Sequence, residues 1–131
     1  MWDCPDCGKA DIEDSAAKCP GCGFMRRVFP VLSGATGEMT LRTSLVFGYK
    51  NLTQLVGAAE ARYAASRQFE LRPEGECWAI RAFPGTRNAT TLNGAELTED
   101  WVAIQDGAVI HIASRRDAAV KVAEIRVSLL N

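Results

Sequence analysis

The chain has 131 residues, with 15 lysines and arginines against 16 aspartates and glutamates and a formal net charge of −1 at pH 7. This length allows one ordinary domain plus a small accessory segment, and the charge balance lacks the basic excess expected of a protein that binds nucleic acid. No apolar run approaches the roughly 18 residues of a membrane span, so we expect a soluble protein.

Cysteines dominate the first part of the chain. They form two Cys-x-x-Cys pairs, each followed by a glycine: Cys4-Pro5-Asp6-Cys7 and Cys19-Pro20-Gly21-Cys22. Four thiolates at this spacing predict a tetrahedral metal site with Zn–S distances of roughly 2.3 Å. The pattern resembles a zinc ribbon, which implies one structural Zn²⁺ ion. Because all four ligands are protein groups, no coordination position stays open for catalysis.

Three other interpretations of the cysteines are weaker. A redox Cys-x-x-Cys motif usually occurs alone at the start of a helix. Disulfides need an oxidising compartment, whereas Met1-Trp2-Asp3 opens the chain without the apolar stretch of a signal peptide. Iron also fits a four-thiolate site, as in rubredoxin-like proteins, and the sequence leaves that alternative open. We therefore expect a cytoplasmic protein whose four cysteines bind a metal.

The cysteine-rich segment is too small to fold around its own core. Residues 1–27 contain few large apolar side chains, so metal binding, worth on the order of 10 kcal/mol, replaces a hydrophobic core. We assign residues 1–27 to the zinc ribbon and residues 28–131 to a second domain that carries the main function. The short link around Arg27-Val28-Phe29-Pro30 lacks a Gly/Ser run, which favours limited freedom between the two.

Short strands separated by turns are predicted from Val28 onward. The candidates are residues 27–32, extended residues within 39–47, residues 76–82, residues 109–112 and the alternating residues 125–129. Turns are predicted at Gly34-Ala35-Thr36-Gly37, which lacks the lysine of a nucleotide-binding loop, at Asn93-Gly94 and at Asp106-Gly107. The apolar residues change parity near Ala123-Glu124, which predicts a β-bulge. Many short strands at this spacing predict a β-sandwich.

One segment differs from this strand pattern. Leu52, Leu55, Val56, Ala59 and Tyr63 recur at helical spacing in an alanine-rich stretch. This spacing predicts a helix of about three turns over residues 52–64, inserted on a β scaffold.

Five short motifs in register resemble the forkhead-associated (FHA) family. They are Gly48-Tyr49, Ser66-Arg67, Thr86-Arg87-Asn88-Ala89-Thr90, Leu92-Asn93-Gly94 and Ile104-Gln105-Asp106-Gly107. The family pattern reads Gly-Arg, Ser-Arg-x-His, Ser-x-Asn-Gly-Thr, Asn-Gly and Leu-x-Asp-Gly-Asp. The resemblance covers roughly residues 28–130. It implies a mainly β protein, an FHA-like antiparallel β-sandwich whose loops at one end bind phosphothreonine peptides.

The resemblance also implies which side chains bind the peptide. Ser66 matches the family's phosphate-binding serine, and Arg67 follows it at a position that commonly donates as well. Arg87 and Asn88 match the loop that contacts the phosphothreonine region and the peptide backbone. Hydroxyl, amide and guanidinium donors suit a group with nearly two negative charges and three acceptor oxygens. The alternative is that Ser66 and Asn88 cap turns and that Arg67 is solvated.

The chain departs from the family pattern at three positions. Tyr49 replaces a contacting arginine, Phe69 replaces a histidine whose hydrogen bonds order the loops, and Ala89 replaces a glycine. A lost charge-assisted hydrogen bond costs about 1.5–3 kcal/mol, which corresponds to a tenfold or larger loss of affinity. Lys50 and Arg62, together with Arg67 and Arg87, are candidate cations for a rebuilt phosphate site; alternatively, they are ordinary solvated charges.

The sequence contains no nucleophile–base constellation or catalytic metal motif. His111 stands alone on a strand and is expected at the sheet surface, and Cys77 is expected to be a buried thiol. We therefore expect a non-enzymatic adaptor in signal transduction. It would recognise a phosphothreonine-containing protein, such as a Ser/Thr kinase or its substrate, as in bacterial kinase-linked signalling. The alternative is a phosphate-independent scaffold or assembly subunit with a decayed pocket.

Overall fold

The computed structural model of the chain describes residues 1–13, 16, 18–23, 29–74, 77–117 and 120–129. The expected boundary between the ribbon and the second domain, at residues 27 and 28, lies outside these ranges. So do Arg26 and Arg27, and Glu76 at the start of a predicted strand. Among the described residues, no helix combines the length and the apolar character that crossing a membrane would require.

Strands make up most of the regular structure. In chain order they are β1 (Val31–Ser33), β2 (Glu38–Thr40), β3 (Leu45–Phe47), β4 (Phe69–Glu74), β5 (Cys77–Ala82), β6 (Ala89–Leu92), β7 (Ala95–Glu96), β8 (Val102–Ala103), β9 (Val109–Ala113) and β10 (Lys121–Ser128). Two short helices, α1 (Tyr49–Val56) and α2 (Ala58–Ala61), lie between β3 and β4.

The strands form two antiparallel sheets. One sheet has the order β2-β1-β10-β9-β6-β7 and the other β3-β4-β5-β8. Their apolar side chains form one core, and the rings of Phe47 and Phe69 stack inside it with centroids 4.9 Å apart. The predicted fold class, a mainly β protein with an antiparallel β-sandwich, is thereby confirmed.

Two predictions from local patterns are confirmed in detail. Asn93 and Gly94 have φ angles of 51° and 88° and connect β6 to β7 as a tight hairpin. The pairing of β10 with β9 shifts between Val122 and Ile125, and Ala123 has a φ of 57° there. This β-bulge restores the alternation, so that Ile125 and Val127 are buried.

The predicted helix over residues 52–64 has different bounds and is interrupted. Helix α1 begins at Tyr49 and ends before Gly57, which separates it from α2. Gly57 has a φ of 84°, a conformation that favours glycine, and its amide donates to the carbonyl of Thr53. Leu52 and Leu55 are buried, since α1 packs against β2, β3 and β10. The turn between β1 and β2 holds the end of α1, where the amide of Thr36 donates to the carbonyl of Leu55.

The prediction of a buried Cys77 thiol is wrong. Cys77 is exposed, because it is the first residue of β5 and has the outward parity of that strand. Trp78 and Ile80, at alternate parity, belong to the core. His111 lies at the sheet surface as expected, with its Nε2 atom 3.4 Å from a carboxylate oxygen of Glu124.

Strand pairing brings three connections to one end of the sandwich. Phe69 at the start of β4 pairs with Ala82 at the end of β5, and Ala89 at the start of β6 pairs with Ala113 at the end of β9. Residues 62–68, 83–88 and the described part of 114–120 therefore meet at the same end. We call this region the loop end.

Replacing Phe69 with alanine should remove the stacked partner of Phe47 from a position without solvent exposure. We expect Phe69→Ala to lower the free energy of unfolding by about 3–5 kcal/mol, measured by urea denaturation followed through tryptophan fluorescence. The matched control is Val102→Ala at an exposed position, which should cost less than about 0.5 kcal/mol. Equal effects of the two substitutions would contradict the core assignment.

Candidate functional site

The four predicted metal ligands converge at the N-terminal end of the chain. The Sγ atoms of Cys4, Cys7, Cys19 and Cys22 all lie within 4.8 Å of one another. The Sγ atoms of Cys4 and Cys22, and those of Cys7 and Cys19, are 3.6 Å apart. A tetrahedral Zn–thiolate centre requires S–S distances of about 3.8 Å, so the four sulfurs suit one ion. None of them is part of a disulfide.

Each Cys-x-x-Cys pair folds back in the same way. The amide of Gly8 donates to the carbonyl of Cys4, and the amide of Gly23 donates to the carbonyl of Cys19, both at 3.0 Å. Backbone amides also point at the sulfurs, with Gly21 N 3.4 Å from the Sγ atom of Cys19. Such donation stabilises a negatively charged thiolate.

Two of the thiols shift in opposite directions. The amide of Lys9 and the thiol of Cys22 act to lower the pKa of Cys7, but Cys19, burial and Cys4 outweigh them and raise it. The pKa of Cys19 is shifted toward the thiolate form that a metal ligand needs. Burial, the largest single influence, acts to raise the pKa of Cys19. The backbone amides of Cys22 and Gly21, with the thiols of Cys7 and Cys4, outweigh it and lower that pKa to about 6. Around the sulfurs, Ile12 and Trp2 pair through backbone hydrogen bonds of 2.8 and 2.9 Å and form a small apolar cluster. The residues present thus suit a tetrahedral metal ion.

At the loop end, Gly48 allows two backbone segments to approach closely. A Cβ atom on Gly48 would overlap the carbonyl oxygen of Ser66, so no larger residue fits there without moving the chain. The amide of Tyr49 donates to the carbonyl of Ala65 at 3.1 Å. The start of α1 is thereby fixed beside the segment that carries Ser66.

Gln68 connects the loops from inside. Its side chain has no solvent exposure and makes three hydrogen bonds. Its Oε1 atom accepts from the amide of Ala65 at 2.9 Å, and its Nε2 atom donates to the carbonyl of Asn88 and to the hydroxyl of Thr90, both at 3.0 Å. The sequence predicted that the loops lose a hydrogen-bonding residue because Phe69 replaces histidine. Gln68, one position earlier, supplies such hydrogen bonds.

The connection before β6 is held by its neighbours on both sides. The side-chain amide of Asn88 donates to the carbonyl of Tyr63 at 2.9 Å. Arg115 donates to the carbonyl and to the hydroxyl of Thr86, each at 3.1 Å, and its Nη1 atom lies 3.2 Å from a carboxylate oxygen of Glu96. Asn88 and Arg115 therefore join the three connections.

A groove of about 900 Å³ opens between the connection before β4 and the connection after β9. Arg62, Arg87, Arg115 and Arg116 line it together with Asn88. None of its lining residues is acidic in the part of the chain that the structure describes. We call this feature the arginine groove.

The sequence-predicted binding residues divide into two groups. Arg62, Arg87 and Asn88 line the arginine groove. The other three lie outside the groove. Ser66 is exposed at the loop end, and Lys50 is exposed in the first turn of α1. The Cζ atom of Arg67 is 5.7 Å from the centroid of the Phe83 ring. Five of the six predicted residues, Arg62, Ser66, Arg67, Arg87 and Asn88, are thus on connections of the loop end.

Sequence reasoning missed Gln68, Thr86, Arg115 and Arg116. The signal for Arg115 and Arg116 was a consecutive basic pair directly after a predicted strand, which becomes informative only when β9 is known to pair with β6. No pattern distinguished Gln68 from an exposed polar residue, because burial of its carboxamide depends on partners twenty or more residues away.

Comparison with solved structures places the fold. The FHA domain of a hypothetical protein of Arabidopsis thaliana matches with a TM-score of 0.60 at 17% identity, over 79% of this chain and 87% of that one. A chain from a study of phosphothreonine-dependent FHA domain interactions matches with a TM-score of 0.57 at 21% identity, over 79% and 98%. The N-terminal FHA domain of a Saccharomyces cerevisiae protein, solved with a phosphothreonine peptide, matches with a TM-score of 0.58 at 12% identity, over 79% and 94%. No protein-family model and no curated protein matches the sequence. At these identities, the likeness shows an FHA-like fold.

Removal of the metal should unfold the cysteine-rich segment selectively. We expect a zinc chelator to release one ion per chain. The amide NMR signals of residues 1–23 should then lose their chemical-shift dispersion, because metal binding replaces a hydrophobic core in this segment. The signals of residues 29–129 should keep their dispersion. Cys19→Ser should lose the ion, and Cys77→Ser, which alters the exposed fifth cysteine, should retain it. Full metal content in Cys19→Ser would contradict the assignment, and thiolate-to-iron absorption would identify iron instead of zinc.

Replacing Gln68 should loosen the loop end. Gln68→Leu keeps the volume but leaves the amide of Ala65 and the hydroxyl of Thr90 without their partner, so we expect a loss of roughly 2–4 kcal/mol in the free energy of unfolding. Amide exchange should accelerate most in residues 62–68 and 86–90. Gln54→Leu, the same change on the exposed face of α1, should leave both measurements near those of the parent protein. Uniform exchange along the chain would rule out a local role.

Proposed function

We propose that the protein is a non-enzymatic interaction module that binds a phosphothreonine-containing segment of another protein at the loop end. Ser66 and Arg87 donate to the phosphate, and Asn88 contacts the backbone of the bound peptide. The partner is a signalling protein such as a Ser/Thr kinase or one of its substrates. The binding step is an equilibrium between donors and acceptors and needs no catalytic group.

The observation that carries the proposal is the convergence of hydroxyl, amide and guanidinium donors at one end of an FHA-like sandwich. Ser66 and Arg87 are exposed, and neither side chain has a hydrogen-bond or ion-pair partner among the described residues. Asn88 uses one donor on Tyr63, which fixes the orientation of its amide and leaves its oxygen for a ligand. Two solved domains of similar fold come from work on phosphothreonine recognition.

The metal centre completes the proposal. We propose that Cys4, Cys7, Cys19 and Cys22 hold one structural Zn²⁺ ion in a ribbon formed by residues 1–27, and that the sandwich of residues 28–131 carries the binding function. The ion would fix the fold of the ribbon and leave no position for a substrate. A thiolate site of this kind suits a reducing compartment, so we place the protein in the cytoplasm.

One observation favours a second candidate, a phosphate-independent scaffold. Tyr49 begins α1 at the position where the family pattern has an arginine, and helices α1 and α2 occupy the stretch between Gly48 and Ser66. Under this candidate the loop end binds an unmodified partner, and phosphate contributes nothing.

Calorimetric titration of the metal-loaded chain separates the two candidates. The ligands are a degenerate phosphothreonine peptide pool and its unphosphorylated counterpart. We expect the phosphorylated pool to bind selectively, and Ser66→Ala and Arg87→Ala each to weaken it by about tenfold, since each removes a donor to a charged acceptor.

Ser44→Ala is the matched control, because Ser44 is exposed and precedes β3 at the end of that strand remote from the loop end. It should leave the affinity unchanged. Equal binding of the two pools would reject the phosphothreonine proposal and favour the scaffold.

A further inference from the structure

The arginine groove has more positive charge than one phosphate requires. Arg62, Arg87, Arg115 and Arg116 all line it, although only Arg87 lies in the motif that resembles a phosphothreonine-binding loop. Arg115 and Arg116 come from the connection after β9, on the far side of Asn88 from the connection that carries Ser66. The groove therefore extends the binding surface beyond the phosphate position.

The arginines differ in how they are held. Arg115 is fixed by two hydrogen bonds to Thr86 and by Glu96, which neutralises part of its charge. Arg62 donates to the hydroxyl of Tyr63 at 2.9 Å. Arg87 and Arg116 are exposed, and their guanidinium groups have no partner among the described residues. At least two full positive charges thus face the groove without a counter-charge from the described chain.

Acidic residues close to the groove are few. Glu96 contacts Arg115, and Asp117 follows Arg116 with its amide donating to the hydroxyl of Ser114. Neither Glu96 nor Asp117 lines the groove. Because like charges on one surface repel, an external anion between Arg87 and Arg116 would lower their mutual repulsion.

Apart from Asn88 and Ser114, the remaining lining consists of aliphatic side chains and Tyr63. Tyr63 and Val120 are exposed, at 41% and 52%, and both line the groove with the half-buried Val122 and the buried Ile112. An arginine border around an apolar floor suits a peptide, whose acidic side chains reach the guanidinium groups and whose aliphatic parts cover the floor. A nucleic-acid backbone would leave this floor uncovered.

We propose that the arginine groove binds acidic residues that flank the phosphothreonine of the partner, and so selects acidic phosphothreonine segments over neutral ones. The position of the phosphothreonine in this arrangement rests on the proposed function. Arg62 and Arg116 contact the flanking carboxylates, and Arg115 positions the connection before β6 through Thr86.

Four matched peptides test this inference with the metal-loaded full chain. They carry threonine or phosphothreonine, flanked on both sides by three aspartates or by three asparagines. Fluorescence anisotropy gives the affinity of each. We expect aspartate flanks to tighten binding by about tenfold relative to asparagine flanks, through charge-assisted hydrogen bonds that weaken as salt rises.

Arg62→Ala with Arg116→Ala should abolish the preference for aspartate, so that the aspartate and asparagine phosphopeptides bind equally tightly. Arg126→Ala, at an exposed position of β10 outside the groove, is the control and should keep the preference. A preference that is absent, or that survives in the double variant, overturns the inference. So does a single-stranded oligonucleotide that binds more tightly than the acidic phosphopeptide and depends on the same two arginines.

The same titration tests the proposed function independently of the groove inference. The proposed function predicts a high ratio of affinities between the phosphorylated and unphosphorylated peptides. The groove inference predicts a high ratio of affinities between the peptides with aspartate flanks and those with asparagine flanks. Loss of the first ratio with the second intact rejects phosphothreonine recognition and retains the groove as a site for acidic segments.

Discussion

The buried carboxamide of Gln68 is the interaction on which the geometry of the loop end depends. A buried amide must satisfy its donors and its acceptor, and Gln68 does so with groups from both neighbouring segments: Ala65 before it, Asn88 and Thr90 after β5. The contact of Gly48 with Ser66 adds a steric constraint from the opposite side. These internal contacts position the backbone, so the exposed side chains of the candidate site need not do so.

The fold was predictable where local chemistry and global packing agree. Asn93-Gly94 and the parity change at Ala123 specified a hairpin and a bulge without knowledge of their partners. Strand β4 was missed because it contains Pro73, and proline usually argues against a strand. Strand β3 pairs only with Phe69–Leu71 of β4, so Pro73 lies beyond the residues that bond to β3 and its lack of an N–H costs no hydrogen bond there. Strand β6 was missed because all four of its residues are buried, which removes the alternation that marks a strand.

The candidate site was predictable only in part, for a related reason. Ser66, Arg87 and Asn88 lie in motifs with recognisable spacing, and the four cysteines do so even more clearly. Gln68 and Arg115 act through residues 20 to 29 positions away, and nothing in their local sequence reveals those contacts. Tertiary pairing of β6 with β9 determines that Arg115 reaches Thr86, and local patterns carry no information on that pairing.

Tyr49 begins α1 at the position where the FHA pattern has an arginine. The amide of Tyr49 donates to the carbonyl of Ala65, so α1 starts against the loop end, beside the frame made by Gln68 and Gly48. Arg115 and Arg116, on the connection after β9, add to the positive charge of Arg62 and Arg87 at the loop end. Exposed arginines contribute little to folding stability, so their placement can change with little effect on the fold. Internal contacts that fix the backbone, and exposed arginines that add little to stability, thus separate the folding of the sandwich from the charge that its loop end presents.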